Sequence, residues 1–313
     1  MINRLTMLAL IRTVVLAVCL AVALPSCAGE SGAADAEAVT AAQVVETLKV
    51  GKGITLRNAR ITGDLCLTDA GVSSRLLPIS SVEIEGEIVF INCEFDGKVT
   101  TKERSADGRQ MIATAFKGDV SFVGCTFVSN VDFGQSAFAG RLNVEKSIFC
   151  ERVSMDGCHF VGGLVTNGAS FWDAFSASMA SFGPRSSFVN SEWRQGSSWQ
   201  SARFECDAVF ANSSFLGAVN LSSVRANGML SFAQCHFGGR MVWQGAHLLG
   251  PTVLAGASFA DVVSLQDVVA ISDFDVTEAS FSADVKAPGA IFLRKPDFSK
   301  ANAEAGVNLP SSL

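Results

Sequence analysis

The sequence predicts an all-β chain wound into a four-sided β-solenoid, and three observations carry that prediction. The first is a period of eleven, in which a mostly aromatic series runs Phe127, Phe138, Phe149, Phe160, Phe171, Phe182, Trp193, Phe204, Phe215 and onward to Phe281. The second is another series at the same period, from Phe122 and Phe133 through Phe188, Trp199 and Phe210 to Val276, so that large residues alternate in steps of five and six. The third is what stands two residues earlier. It is small before the first series (Cys125, Ser136, Ser147, Cys158) and bulkier before the second (Val120, Val131, Leu142, Val153). Side chains two apart share one side of an extended chain. Each step is therefore a very short strand with two inward residues, followed by a corner, and helical periodicity does not fit.

Phase sets the number of strands per coil. Three would put the five-six alternation out of register on successive coils, and two would enclose too little space for Phe. Four strands, or 22 residues per coil, stack like on like: Phe127, Phe149, Phe171, Trp193, Phe215, Phe237, Phe259 and Phe281 form one column. Phe116, Phe138, Phe160, Phe182 and Phe204 form another before it relaxes to Ala226, Leu248 and Ala270. Strand spacing places such rings roughly 4.8 Å apart. Of 23 Phe, 21 take inward positions, and Tyr is absent, as expected if a phenolic hydroxyl would need its own partner in a dry stack. Gly97, Gly118, Gly140, Gly162, Gly217 and Gly239 fall two residues after a large residue, where a corner is expected to need backbone freedom.

The small-x-Phe step with a turn after it, as in Cys125-Thr126-Phe127 or Cys235-His236-Phe237-Gly238-Gly239, resembles the pentapeptide-repeat family. The resemblance spans about residues 54–287 and implies a right-handed quadrilateral β-helix. The chain departs from the family in its five-six alternation and its use of Phe.

In chain order, residues 1–27 read as a secretory signal: Arg4 and Arg12, an apolar run Val14–Leu24, then Leu24-Pro25-Ser26-Cys27. That ending resembles the bacterial lipoprotein signal, which implies cleavage between Ser26 and Cys27 and acylation of Cys27. Ordinary cleavage after Ala28, or an uncleaved anchor, also fits the residues. Residues 28–35 form a small, polar tether. Residues 36–50 carry Val39, Ala42, Val45 and Leu48 at helical spacing with Asp35 placed to cap them, predicting a helix over the open end of the coil. The solenoid is expected over 54–287, about ten coils, interrupted at 73–81 and by a charged insertion at 102–109 whose Asp107-Gly108 signals a hairpin turn. Residues 288–313 read as a C-terminal cap and disordered tail.

Catalytic and metal-binding patterns are missing from the sequence. The three His, His159, His236 and His247, fall on outward positions, and neighbours among them lie half-integral coils apart, so no shared metal and no cofactor is expected. Of nine Cys, Cys93, Cys125, Cys158 and Cys235 take the small inward position, read as compact apolar fillers. Carboxylates look scattered, although Asp261, Asp267, Asp273, Asp275, Glu278 and Asp284 make the C-terminal third acidic. Trp172 is the one Trp on an outward position and a weak candidate for a contact surface.

The expectation is a non-enzymatic, lipid-anchored rod in the cell envelope, secreted across the inner membrane, binding another protein or an envelope polymer. A homodimer through the solenoid ends is open. One alternative is a DNA-mimicking, topoisomerase-binding role, which some pentapeptide-repeat proteins play and which the net charge of −6 fits loosely. That role needs the cytoplasm, and binding to nucleic acid itself is not expected. A second alternative is a β-helix enzyme acting on polysaccharide.

Overall fold

The computed structural model describes residues 37–74, 81–105 and 107–304. The signal, Ser26, Cys27, the tether and Asp35 lie outside the described residues. Four parallel sheets form the walls of a solenoid. In one coil, Val120–Val123 lies on the first face, Thr126–Phe127 on the second, Val131–Asp132 on the third and Ala137–Phe138 on the fourth. From this coil onward each strand pairs in register with the strand 22 residues on, Val120 with Leu142, Phe127 with Phe149, Val131 with Val153, Phe138 with Phe160. The insertions lengthen the earlier offsets, as in Ile54 with Ile88 and Ile88 with Val120. The first and third faces carry ten strands each, and the second carries twelve because it gains one strand at each end.

All 21 inward Phe are buried. The second-face column stacks ring on ring, with Phe127 and Phe149 at 4.6 Å and 1°, and Trp193 and Phe215 at 4.5 Å and 3°. It also takes in Phe95, 4.8 Å from Phe127, which the insertion displaces from the eleven-residue count. The fourth-face column from Phe116 to Phe204 stacks likewise. The core is less dry than the lack of Tyr implies: the indole N–H groups of Trp193 and Trp243 and the hydroxyls of Ser197 and Thr252 are buried without a hydrogen-bond partner.

The corners correct the reading of the glycines. Left-handed backbone recurs every eleven residues just before the small inward residue, and ordinary side chains occupy many of these sites: Gln135 at φ 64°, Lys146 at 56°, Met179 at 59°, Asn190 at 56°. Gly118, Gly140 and Gly162 do not have positive φ. They stack directly over one another, and a Cβ on Gly140 would lie 2.6 Å from the Gly118 carbonyl oxygen, while one on Gly162 would lie 2.4 Å from the Gly140 carbonyl carbon. These positions need glycine because two backbones approach closely, not for conformational freedom.

The small inward position is also more than filler. Ser147 Oγ donates to the Phe122 carbonyl at 2.6 Å and Ser213 Oγ to Phe188 at 2.7 Å, each 25 residues back. Cys158 and Cys235 make the same contact through sulfur, to Phe133 at 2.9 Å and Phe210 at 3.0 Å. Ser or Cys here satisfies a corner carbonyl of the coil below. Ser213 Oγ in addition accepts the Ser191 N–H at 2.9 Å. Ser213→Ala leaves that N–H and the Phe188 carbonyl unpaired inside the wall, and a loss of about 1–3 kcal/mol is expected in urea unfolding. Ser213→Cys, which keeps the donor, is expected to lose less.

The N-terminal end is built differently from the predicted helix 36–50. Glu37–Thr40 is a strand that pairs in parallel with Ala59–Thr62, and the helix is Ala41–Lys49. Its cap is Thr40, which forms a capping box with Gln43, and its buried face is Ala41, Val44, Val45 and Leu48, so Ala42 is exposed. The unpaired edge of the first coil explains the difference: Glu37–Thr40 satisfies it before the helix closes over the apolar columns. At the other end the coil continues beyond 287. Ile291–Phe292 pairs with Val269–Ala270, and Asn302–Ala303 pairs with Ser280–Phe281. Residues 305–313 lie outside the described residues.

Both interruptions are antiparallel hairpins on the fourth face. Val72–Ser74 pairs with Ser81–Glu83, and Lys102–Arg104 pairs with Met111–Ala113. The second turns as Asp107-Gly108 predicts, with Gly108 at φ 68°.

Candidate functional site

The third face presents an outward row in which polar side chains line a groove. Reading every 22 residues, its outward positions are Asp132, Ser154, Ser176, Ser198 and Asn220. The corner residues beside them run Arg152, Ala174, Gly196, Ala218 and Arg240, so three small residues sit between two arginines. With the corner lowered, the face sinks into a groove of about 630 Å³ spanning five rungs, lined by that polar row, Arg152 and Asp156. The signal was present in the sequence, in the 22-residue column of corner residues rather than in any local motif.

Hydrogen bonds hold the groove in shape. Asp156 accepts from Ser176 Oγ at 2.5 Å, from the Ser178 N–H at 2.8 Å and from Ser154 Oγ at 3.4 Å. The Ser178 and Ser198 hydroxyls meet at 2.9 Å, carrying the chain to the next rung. Asp132 accepts the Gly134 N–H at 2.9 Å and pairs with Lys102 Nζ at 3.0 Å, a lysine supplied by the hairpin insertion. Two carboxylates therefore share one groove, contrary to the expectation that carboxylates scatter. Both act as acceptors, Asp132 from an ammonium and an N–H group and Asp156 from hydroxyls and an N–H group.

Trp172 stands two residues before Ala174, at the corner that borders the groove. It is half-buried rather than open: the Arg194 guanidinium lies 4.7 Å over its ring, and Glu192 holds that guanidinium at 3.2 and 3.3 Å. Its indole nitrogen is buried without a partner.

The other predicted features fall as follows. His236 stands on the second face, while His159 and His247 share the fourth at four coils' separation, and His159 and His236 each bond a serine hydroxyl at 2.9 Å. Acidic residues near the C-terminus are partly neutralised, Asp273 by Arg294 at 2.9 Å and Glu278 by Lys300 at 3.0 Å. Among the described residues every cysteine is a free thiol. Burial pushes the Cys235 thiol up to about 12, and burial likewise raises Cys158, so both stay protonated at neutral pH. Cys93 and Cys125 are neighbours on adjacent rungs of the second face, their thiols donating to the Leu56 and Phe90 carbonyls, a neighbourhood that the insertion hides from the periodic count. The adjacent Cys93 thiol and burial push Cys125 up.

The fold is an all-β solenoid with a polar groove along its third face. Compared with known proteins, the chain matches no family model, no curated protein and no solved structure.

Proposed function

We propose that this chain is a lipid-anchored, pentapeptide-repeat-like rod of the cell envelope that holds an extended glycan along its third-face groove. The observation that carries this reading is the groove itself: a row of hydroxyls, a carboxamide and carboxylates repeats at the rung spacing of about 4.8 Å, near the advance of one sugar in an extended chain. Neutral hydroxyl and amide groups suit recognition of sugar hydroxyls, and Arg152 adds a donor at one lip. Trp172 with Arg194 offers a flat edge beside it. The signal-like residues 1–27 with Cys27 support the envelope location. A groove that lies along the rod suits a polymer better than a compact ligand.

A polysaccharide-cleaving reading draws on Asp132 and Asp156, since glycoside hydrolysis needs two carboxyl groups, one of them protonated. Here both are already engaged within the wall, Asp132 by Lys102 and the Gly134 N–H and Asp156 by Ser176 and the Ser178 N–H, which leaves neither poised over a substrate bond. Binding is the better reading. Topoisomerase binding gains little, because the acidic C-terminal third is partly paired with Arg294 and Lys300. Among the described residues the helix Ala41–Lys49 covers the N-terminal end, so self-association through an end is better placed at the C-terminal side.

The test is co-sedimentation of the full chain with insoluble envelope polysaccharide from its own cells. Ala174→Arg fills the groove from the solvent side and is expected to abolish retention at an unchanged melting midpoint. Retention equal to that of the parent chain would remove the groove from the proposal. In the same preparation Cys27→Ala is expected to move the chain out of the membrane fraction and to remove the acyl mass from its N-terminus.

A further inference from the structure

The hairpin insertion reaches back to the first coil, and there it completes a group of metal-ligating side chains. Cys66 ends the first strand of the third face, Asp69 lies in the 3₁₀ turn Leu67–Ala70 that follows, and Glu103 comes from the hairpin strand Lys102–Arg104. The Cys66 sulfur and one oxygen from each carboxylate all lie within 4.8 Å of one another. A tetrahedral ion at Zn–S and Zn–O distances would set its donors roughly 3.3–3.7 Å apart, so closure needs only side-chain rotation and a shift of about 1 Å.

Three features separate this group from an ordinary acidic surface. First, its donors come from three elements, one of them an insertion that interrupts the repeat. Second, Asp69 and Glu103 are like charges, yet among the described residues no Lys or Arg forms an ion pair with either. The Lys flanking Glu103, Lys102, turns to Asp132, and Lys49, which feels the charge of Asp69, is bonded to Glu46 at 2.7 Å. Third, the sulfur has a polar neighbour in Thr68, a buried residue whose hydroxyl lies 2.8 Å from Cys66 Sγ. Once the sulfur is a metal-bound thiolate, this hydroxyl can donate to it and so fix the direction in which the ligand points.

We propose that Cys66, Asp69 and Glu103 bind a divalent zinc ion, with water as fourth ligand, and that the ion clamps the hairpin to the N-terminal coil. One thiolate with two carboxylates suits zinc and disfavours the hard cations calcium and magnesium, which take oxygen ligands only. Binding releases the thiol proton to solvent, so affinity rises with pH. The site stands apart from the third-face groove, although Lys102 of the same hairpin pairs with Asp132 there. A clamped hairpin would hold that lysine at the groove's first rung.

The test titrates zinc ion alone into the full chain in detergent, in competition with a chromogenic chelator. One zinc per chain is expected. Cys66→Ser and Glu103→Gln are each expected to weaken binding by at least about tenfold, since losing even a group that only orients a metal ligand costs that much. Cys206→Ser, which alters an exposed thiol elsewhere, is expected to change nothing. Cobalt in place of zinc is expected to show a thiolate-to-metal charge-transfer band that Cys66→Ser removes. Zinc is further expected to slow amide exchange across 102–113. Sub-stoichiometric binding, or affinity unchanged in either ligand variant, overturns the site. If Cys66→Ser fails to fold, Glu103→Gln and the exchange measurement decide it.

Discussion

Phe215→Ala is expected to destabilise the solenoid by about 3–5 kcal/mol, the range for removing a buried aromatic ring and leaving a cavity. The ring is fully buried and lies between Trp193 at 4.5 Å and Phe237 at 5.0 Å, nearly parallel to both. Phe232 meets its edge at 6.1 Å. Backbone ladders on either side hold the coils at their spacing, so the wall cannot collapse into the gap, and this rigidity places the cost near the top of the range. In a solenoid each coil contacts only its neighbours, so the loss should be local. Hydrogen exchange is expected to quicken most between 188 and 242 and least near 60 and 280. A melting midpoint unchanged from the parent chain would show that the column does not bear the stability.

Gly140→Val is expected to cost about 3 kcal/mol, at the upper end of overpacking effects. Its Cβ would meet Asp119 Oδ1 at 2.5 Å and the Gly118 carbonyl oxygen at 2.6 Å; the carboxylate can turn aside, but the carbonyl is backbone within a hydrogen-bonded wall. Relief requires separating two coils. Gly196→Ala supplies the contrast, since its nearest contact would be 3.7 Å from the Ala218 carbonyl oxygen. That variant is expected to be neutral or slightly stabilising, because alanine restricts the unfolded chain. Equal effects at the two sites, read by urea midpoint, would show that close approach does not explain the glycine ladder.

The sequence alone determined the architecture. The eleven-residue period, the five-six alternation and the small-x-Phe step predict 22 residues per coil, four walls and the columns from Phe127 to Phe281, because an in-register stack must repeat its side chains at the coil length. The hairpin at Asp107-Gly108 was equally legible, since its turn chemistry is local. Trp172 was placed on the outside correctly, but its cover was not foreseen: Arg194 follows it by one coil, a neighbour in space only.

What escaped the sequence shares one physical cause: it depends on groups brought together across coils or across an insertion. The glycine ladder looked like corner freedom, and only the stacked backbones show that it answers close approach. Ser and Cys at the small inward position looked like filler until the carbonyl 25 residues back came into view. Cys93 beside Cys125, and Phe95 on Phe127, were hidden because the hairpin shifts the count between them. The strand Glu37–Thr40 replaced the first turn of the expected helix because an unpaired sheet edge outweighs helical spacing. Repetition writes the coil into the sequence one period at a time. The groove beside Asp156 and the meeting of Cys66, Asp69 and Glu103 exist only once the coils are stacked, because stacking is what sets residues from different periods within reach of one another.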